Sequence, residues 1–180
     1  GPVRSVALVP ASPRTLPEVE AAILDADLIV LGPGSLYTST IPPLLVPAVR
    51  NALARASARV VYVANIMTEA GETDGLDAYD HVAALVEHGA RRPDVVVVND
   101  AALDERRLRA YAAENAEPVR FVAERFAAAG IPTVCLPLLG EGDVAQHDSA
   151  LLARALVRLA KEARAQGHAE HRSPLIGAQT

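Results

Sequence analysis

The chain has 180 residues, the size of one domain at roughly 150 residues per domain, which leaves no room for two full catalytic domains. Its net charge is −5 at pH 7, from 17 Lys and Arg against 22 Asp and Glu, so it lacks the basic excess with which proteins displace counterions from a nucleic-acid backbone. Hydrophobic residues make up 51% and aromatics 3%, which excludes general disorder and requires a core of Ala, Val, Leu and Ile. No apolar run reaches the ~18 residues of a membrane span, and no charged-then-apolar leader opens the chain. The single cysteine, Cys135, permits no internal disulfide. Together these features predict a cytoplasmic protein with no membrane or nucleic-acid partner, its Cys135 buried as a small hydrophobe beside Val134 and Leu136.

Short β-branched runs alternate with longer helical patterns, the signature of a mostly parallel sheet flanked by helices. Residues 3–9 read as a strand and Pro17–Leu24 as a helix opened by proline. The continuous apolar run Leu28–Leu31, bounded by Asp27 and Gly32, reads as a strand buried on both faces. A helix is predicted over 43–56, with Leu45, Val49 and Leu53 on one face, then a strand over 59–64, a helix over 78–88 and a strand over 95–98. Residues 103–114 read as a helix, and 118–122 as a short strand or the entry to a helix ending at Gly130. A strand over 131–138 and a helix over 149–165 complete five or six strands, with Leu152, Leu156 and Leu159 on the last helix's inner side. Residues 166–180 lack periodicity and are predicted to form a flexible or partner-bound tail.

Ligands of open α/β sheets bind beyond the carboxyl ends of the strands, so the loops after Leu31, Ala64, Val98 and Leu138 are the places to look. The first of these runs Gly32, Pro33, Gly34, Ser35, Leu36, Tyr37, Thr38, Ser39. Its glycines let backbone N–H groups approach an anion and its hydroxyls add donors. The same composition also suits a plain turn in which Ser39 or Thr40 caps the next helix, and both readings stand at this point. A serine-hydrolase elbow is excluded, because it needs glycine two residues either side of Ser35 and finds Pro33 and Tyr37.

The second loop, 65–75, is long for a strand-to-helix connection. Its Glu69, Glu72 and Asp74 can hold Mg²⁺ or receive sugar hydroxyls, or can serve as turn chemistry ahead of a helix capped by Asp77 with Asp80 in its third position. His81 follows in that helix's first turn, where a packed residue is the commoner outcome than a catalyst. Asp148 is a suitable cap for the last helix. Arg91 and Arg92, and Arg106, Arg107 and Arg109, read as solvated helix ends or faces.

The strings LGPGSLYTSTIPPLLV (31–46), YVANIMTEAGETDG (62–75) and YDHV (79–82), in that order, with YAAENAEPV (111–119) and His147-Asp148 beyond, resemble the gluconeogenesis factor (YvcK-type) branch of the CofD-like family. Its other branch is 2-phospho-L-lactate transferase. The resemblance spans about residues 3–160. It implies a three-layer αβα Rossmann-like fold and, for this branch, binding of UDP-N-acetylglucosamine in a regulator of carbon flux into cell-wall precursors and of cell shape. Carried over position by position, it places Gly32, Gly34 and Ser35 at a phosphate-binding loop, with Tyr37, Thr38 and Ser39 beside it. Asn65, Thr68, Glu72 and Asp74 would line the facing loop, and Tyr111 the segment that contacts the nucleotide sugar.

Two departures follow. Gln146 stands where family members usually have Arg, removing a charged phosphate donor from the ligand site. The family's Gly-rich opening and its acidic-Gly-Ser segment do not occur in these residues, so the resemblance is to the C-terminal half of the fold, over residues 1–165. An open sheet edge would result, and a homo-oligomer formed through it is expected. The transferase branch implies the alternative function, an enzyme that uses Mg²⁺ on the acidic loop with a phosphate-bearing donor.

Overall fold

A computed structural model of the protein describes residue 3 and residues 5–172. Four parallel strands, β1 (Leu28–Leu31), β2 (Arg59–Val63), β3 (Val95–Asn99) and β4 (Thr133–Leu136), form one sheet in the order β1-β2-β3-β4. Val61 pairs with Val30 on one side and Val95 on the other, which fixes the register across the first three strands. The helices are α1 (Pro17–Leu24), α2 (Ile41–Leu45), α3 (Pro47–Arg55), α4 (Ala78–Glu87), α5 (Glu105–Ala113), α6 (Ala123–Ala128) and α7 (Ser149–Arg172). The α/β class and the αβα layering expected from the sequence are both present.

Strand alternation divides the core in two. Val60, Tyr62, Val96 and Val98 face one side, where Ile41 and Leu44 of α2, Leu53 of α3, Val82 and Leu85 of α4 and Phe126 of α6 cover them. Val61, Val63, Val95 and Val97 face the other side and meet Leu152 and Leu159 of α7. Right-handed crossovers in a sheet wound in one direction place the connecting helices on a single face, so the second face falls to the last helix. Arg164 of α7 is anchored to Asp27, just before β1, with its Nε donating to the Asp27 carboxylate at 2.7 Å. Val30, on that second face of the edge strand β1, stays 37% exposed.

Several sequence expectations need correction. The strand expected over 3–9 is absent from its described residues: the Val6 N–H donates to His88 Nε2 at 3.3 Å, and Val3 and Val6 lean on the larger core, so residues 5–9 pass the end of α4 without strand pairing. Among the described residues the sheet therefore holds four strands, against the five or six expected. The helix predicted over 43–56 is broken between α2 and α3, because Val46 precedes Pro47 and takes an extended backbone (φ −69°, ψ 117°), as the proline ring requires of its predecessor. Residues 118–122 contribute only an isolated antiparallel bridge between Pro118 and Met67. Cys135 is exposed instead of buried, on β4, the last strand in the order of the described sheet. The last helix continues to Arg172, past the predicted end at residue 165, through the helix-favouring run Lys161 to Gln166. Residues 173–180 of the predicted tail lie outside the described residues.

The cap of α4 forms as predicted. The Asp77 carboxylate accepts from the Tyr79 and Asp80 N–H groups while Asp80 accepts from the Asp77 N–H. Arg125 of α6 reaches both carboxylates, at 2.6 and 2.8 Å, and lies over the Tyr79 ring. Although partial burial opposes it, hydrogen bonds from the Asp80 N–H and Arg125 help hold the Asp77 carboxyl below its ordinary range.

His81 is a core residue, with 0% of its surface exposed and its Nδ1 3.1 Å from the Tyr62 hydroxyl. Its Nε2 has no hydrogen-bond partner among the described residues. Burial disfavours the imidazolium and lowers its pKa to about 4, against the pull of Asp80 and Asp77. An unfolded histidine titrates near ~6.5, so between that pH and about 4 unfolding takes up a proton. The stabilisation is complete above the unfolded value and is lost as the pH falls across this window, by about 3 kcal/mol in all. Denaturant titrations at pH 7.5 and pH 5 should show the loss. In His81→Leu most of the pH difference should vanish, leaving the smaller part due to His147, whose pKa burial also lowers.

Candidate functional site

The carboxyl ends of the strands open onto a cleft of about 450 Å³, walled by four separate stretches of chain. Pro33 and Gly34 follow β1, Asn65 to Glu69 follow β2, Tyr111 comes from α5, and Ala145, Gln146 and His147 lie in the loop that leads into α7. Five residues predicted for the site, Gly34, Asn65, Thr68, Tyr111 and Gln146, are thus brought together from positions up to 112 apart in the chain.

The turn after β1 is set by Gly32, whose φ is +73° and where an added Cβ would lie 2.9 Å from the Val63 carbonyl oxygen. The chain therefore crosses directly over the end of β2. There the Asn65 amide closes two hydrogen bonds with Gly34, accepting from its N–H at 3.2 Å and donating to its C=O at 2.9 Å. This amide clamp fastens the first loop to the second.

Ser35 donates to Glu72 Oε2 at 3.0 Å and accepts from both the hydroxyl and the N–H of Thr38. It caps a single π-helical turn, Leu36–Thr40, in which the Ser39 and Thr40 N–H groups return to the Ser35 carbonyl. The cap is Ser35, and Thr40 makes no side-chain cap bond to the helix that follows it. Glu69 stands at the cleft beside this cluster. Its partial burial pushes the carboxyl pKa up, the Ser35 hydroxyl draws it down, and the neighbouring Glu72 pushes it up again. Paired carboxylates around one hydroxyl can exchange a proton or accept hydroxyl donors from a ligand.

Other predicted residues lie apart from the cleft. Tyr37 is buried in the core, edge-on to His88 at 6.0 Å. Ser39 and Gly32 line a separate groove of about 310 Å³ on the far side of the first loop, bordered by Val30 and Leu44. Asp74 accepts from the Gly71 N–H at 2.8 Å, closing its own turn, and borders a shallower depression with Thr68 and Glu117. Thr68 is itself engaged, donating its N–H to the Glu117 carbonyl and accepting the Glu117 N–H on its hydroxyl. Among the described residues, no group of three or more His, Cys, Asp or Glu side chains is arranged to hold a metal ion.

Sequence reasoning did not select His147, whose burial lowers its pKa and whose Nε2 has no partner among the described residues. Its place next to Gln146 was the available signal. None of the residues lining the cleft is Lys or Arg, and Gln146 leaves its loop wall uncharged.

The family model for 2-phospho-L-lactate transferase CofD matches residues 1–139. The chain belongs to the CofD family. It is 40% identical over 162 residues to the gluconeogenesis factor of Bacillus subtilis, covering 89% of this chain and 51% of that one. A second gluconeogenesis factor, from Halalkalibacterium halodurans, is 38% identical over 157 residues, covering 86% of this chain and 49% of the relative. The crystal structure of a UPF0052 family member from Bacillus halodurans superposes with a TM-score of 0.83 at 38% identity, over 87% of this chain and 51% of the other. The chain spans about half the length of these relatives. No helix among the described residues is long and apolar enough to cross a membrane.

The clamp carries a direct prediction. Asn65→Ala removes both bonds to Gly34 and should cost about 1–3 kcal/mol of stability. Hydrogen exchange should accelerate at residues 34–36 more than in β2 or β3, whereas an even rise across the sheet would show that Asn65 has no special hold on the first loop.

Proposed function

We propose that this chain is the CofD-family part of a cytoplasmic regulator that binds UDP-N-acetylglucosamine and links carbon flux to cell-wall precursor synthesis and cell shape. The observation that carries the reading is the convergence of Gly34, Asn65, Thr68, Tyr111 and Gln146 on one cleft whose volume suits a small molecule. Its lining is rich in amides, hydroxyls and backbone groups, with Glu69 as a carboxylate acceptor. Such a surface matches the hydroxyl and acetamide groups of a sugar and the edge of a uracil. The likeness to two gluconeogenesis factors supports the same assignment.

The phosphates fit less directly. The Gly34 N–H is committed to Asn65 and the Thr38 N–H to Ser35, so the first loop offers fewer free donors than its glycines suggest. With Gln146 in place of an Arg, this chain's share of the recognition falls mainly on the sugar and the base.

A second reading is a transferase of the 2-phospho-L-lactate type that uses Mg²⁺. It draws support from the family model's description and from the Glu69 and Glu72 carboxylates flanking Ser35.

Calorimetric titration with UDP-N-acetylglucosamine separates the readings. The regulator predicts a saturable heat without added Mg²⁺, weakened roughly tenfold or more by Asn65→Ala through loss of the positioned loop. The transferase predicts Mg²⁺-dependent turnover of a phosphate-bearing donor with a lactyl-type acceptor. Absence of saturable heat both from this chain and from a protein of the relatives' full length would overturn the regulator.

A further inference from the structure

The loop between β4 and α7 forms one wall of the cleft, and its fixation has an identifiable cause. Its two ends cross closely: the Gly140 N–H donates to the Gln146 carbonyl at 2.8 Å and the Asp148 N–H to the Leu138 carbonyl at 2.7 Å. An added Cβ on Gly140 would stand 3.2 Å from the Gln146 oxygen, so glycine permits the crossing. Beyond this stem the loop has no regular structure, and Glu141 to Val144 are exposed.

What holds the outer part is α5. Arg107 is only 8% exposed, and its guanidinium donates to backbone carbonyls of the loop while its Nε lies 3.5 Å from a carboxylate oxygen of Asp104. Nε donates to Gly142 at 2.9 Å, and one terminal nitrogen donates to Gly140 at 2.9 Å and also to Gly142. One helical turn further on, the Tyr111 hydroxyl accepts the Ala145 N–H at 3.0 Å. Positions four apart share a helix face, so both attachments leave α5 on the side that meets the loop. Asp104 holds the start of the helix by accepting the Arg107 N–H at 2.8 Å, and the Arg106 side chain pairs with Asp143.

We propose that Arg107 is a positioning residue of the cleft: with Tyr111 it straps the 140–147 loop to α5, so that the wall carrying Gln146 and His147 is in place before a ligand arrives. A buried guanidinium already hydrogen-bonded to two backbone carbonyls and paired with Asp104 is committed to the fold and not to a phosphate. The planar fork of an arginine is what spans two carbonyls at once, and a lysine ammonium cannot reproduce it. The consequence for affinity rests on the ligand reading given above; the strap itself does not.

Hydrogen exchange on the 180-residue chain tests the strap without any ligand. Arg107→Lys and Tyr111→Phe should each speed exchange in residues 140–147 by roughly tenfold or more, as expected for losing one or two such bonds, with the amides of β2, β3 and α7 unchanged. Arg107→Ala should do so more strongly. If it fails to fold, the two milder variants decide the matter. Equal exchange in variants and wild type, or acceleration spread evenly over the domain, would overturn the proposal. UDP-N-acetylglucosamine titrations of the Arg107 variants, whose side chain does not line the cleft, then add a second readout. A weakened dissociation constant with unchanged stoichiometry supports the link from strap to cleft, and unchanged affinity alongside a loosened loop overturns that link. If wild type itself binds no nucleotide sugar, the functional reading fails while the exchange result still judges the strap.

Discussion

Two hydrogen bonds between the Asn65 amide and the Gly34 backbone organise the carboxyl end of the sheet. The loop after β1 can reach Asn65 only because Gly32 turns it across the Val63 carbonyl without a side chain in the way. Once fastened there, the loop presents Ser35 to the second loop, and the Ser35 hydroxyl meets Glu72. The cleft is the space left between these joined loops on one side and the 140–147 loop on the other. Its shape thus depends on a few directional bonds among short polar side chains, while the apolar layers below it supply a rigid floor.

The electrostatics of the cleft follow from the same arrangement. Asp77 and Asp80, with Arg125 across them, form a charge cluster at the start of α4, and His81 is sealed into the core. At the cleft itself the polar neighbours are Glu69, His147, amides and hydroxyls, set among Ile66, Met67 and Leu152. A site of this kind selects by hydrogen-bond pattern more than by field strength, since each buried polar group left unmatched by a wrong ligand carries a cost.

Much of this was legible in the sequence for physical reasons that can be named. Leu28–Leu31 and the valines of β2 and β3 are continuous apolar runs, which only a strand covered on both faces can use. Asp77 with Asp80, and Asp148 before α7, announced their helix starts through the spacing of their carboxylates. The clustering of Gly34, Asn65, Thr68, Tyr111 and Gln146 came from a family resemblance, and periodicity alone could not have joined positions so far apart. Where local reading misled, tertiary placement decided. Arg107 looks like its solvated neighbours Arg106 and Arg109 until the glycine carbonyls of a distant loop appear beside it. Cys135 has an apolar context, yet is exposed on β4, at the end of the described strand order. Residues 5–9 have a strand's composition, yet pair with no strand among the described residues. The break before Pro47 was the exception, since proline's effect on the preceding residue is local and could have been applied.

The one-directional winding of the sheet also bears on how the chain reaches this structure. Every strand pairs with the next one along the sequence, so the sheet can extend one crossover at a time as the chain is synthesised, without inserting a strand between two already paired. The opposite face is different. Among the described residues, α7 together with Leu138 covers Val61, Val63, Val95 and Val97, and the anchor of α7 joins Asp27 to Arg164 across 137 positions. Until that last helix is made and docked, a continuous valine surface stays open to water. The interval between completing the sheet and docking α7 is when a nascent chain of this kind most needs protection from its neighbours.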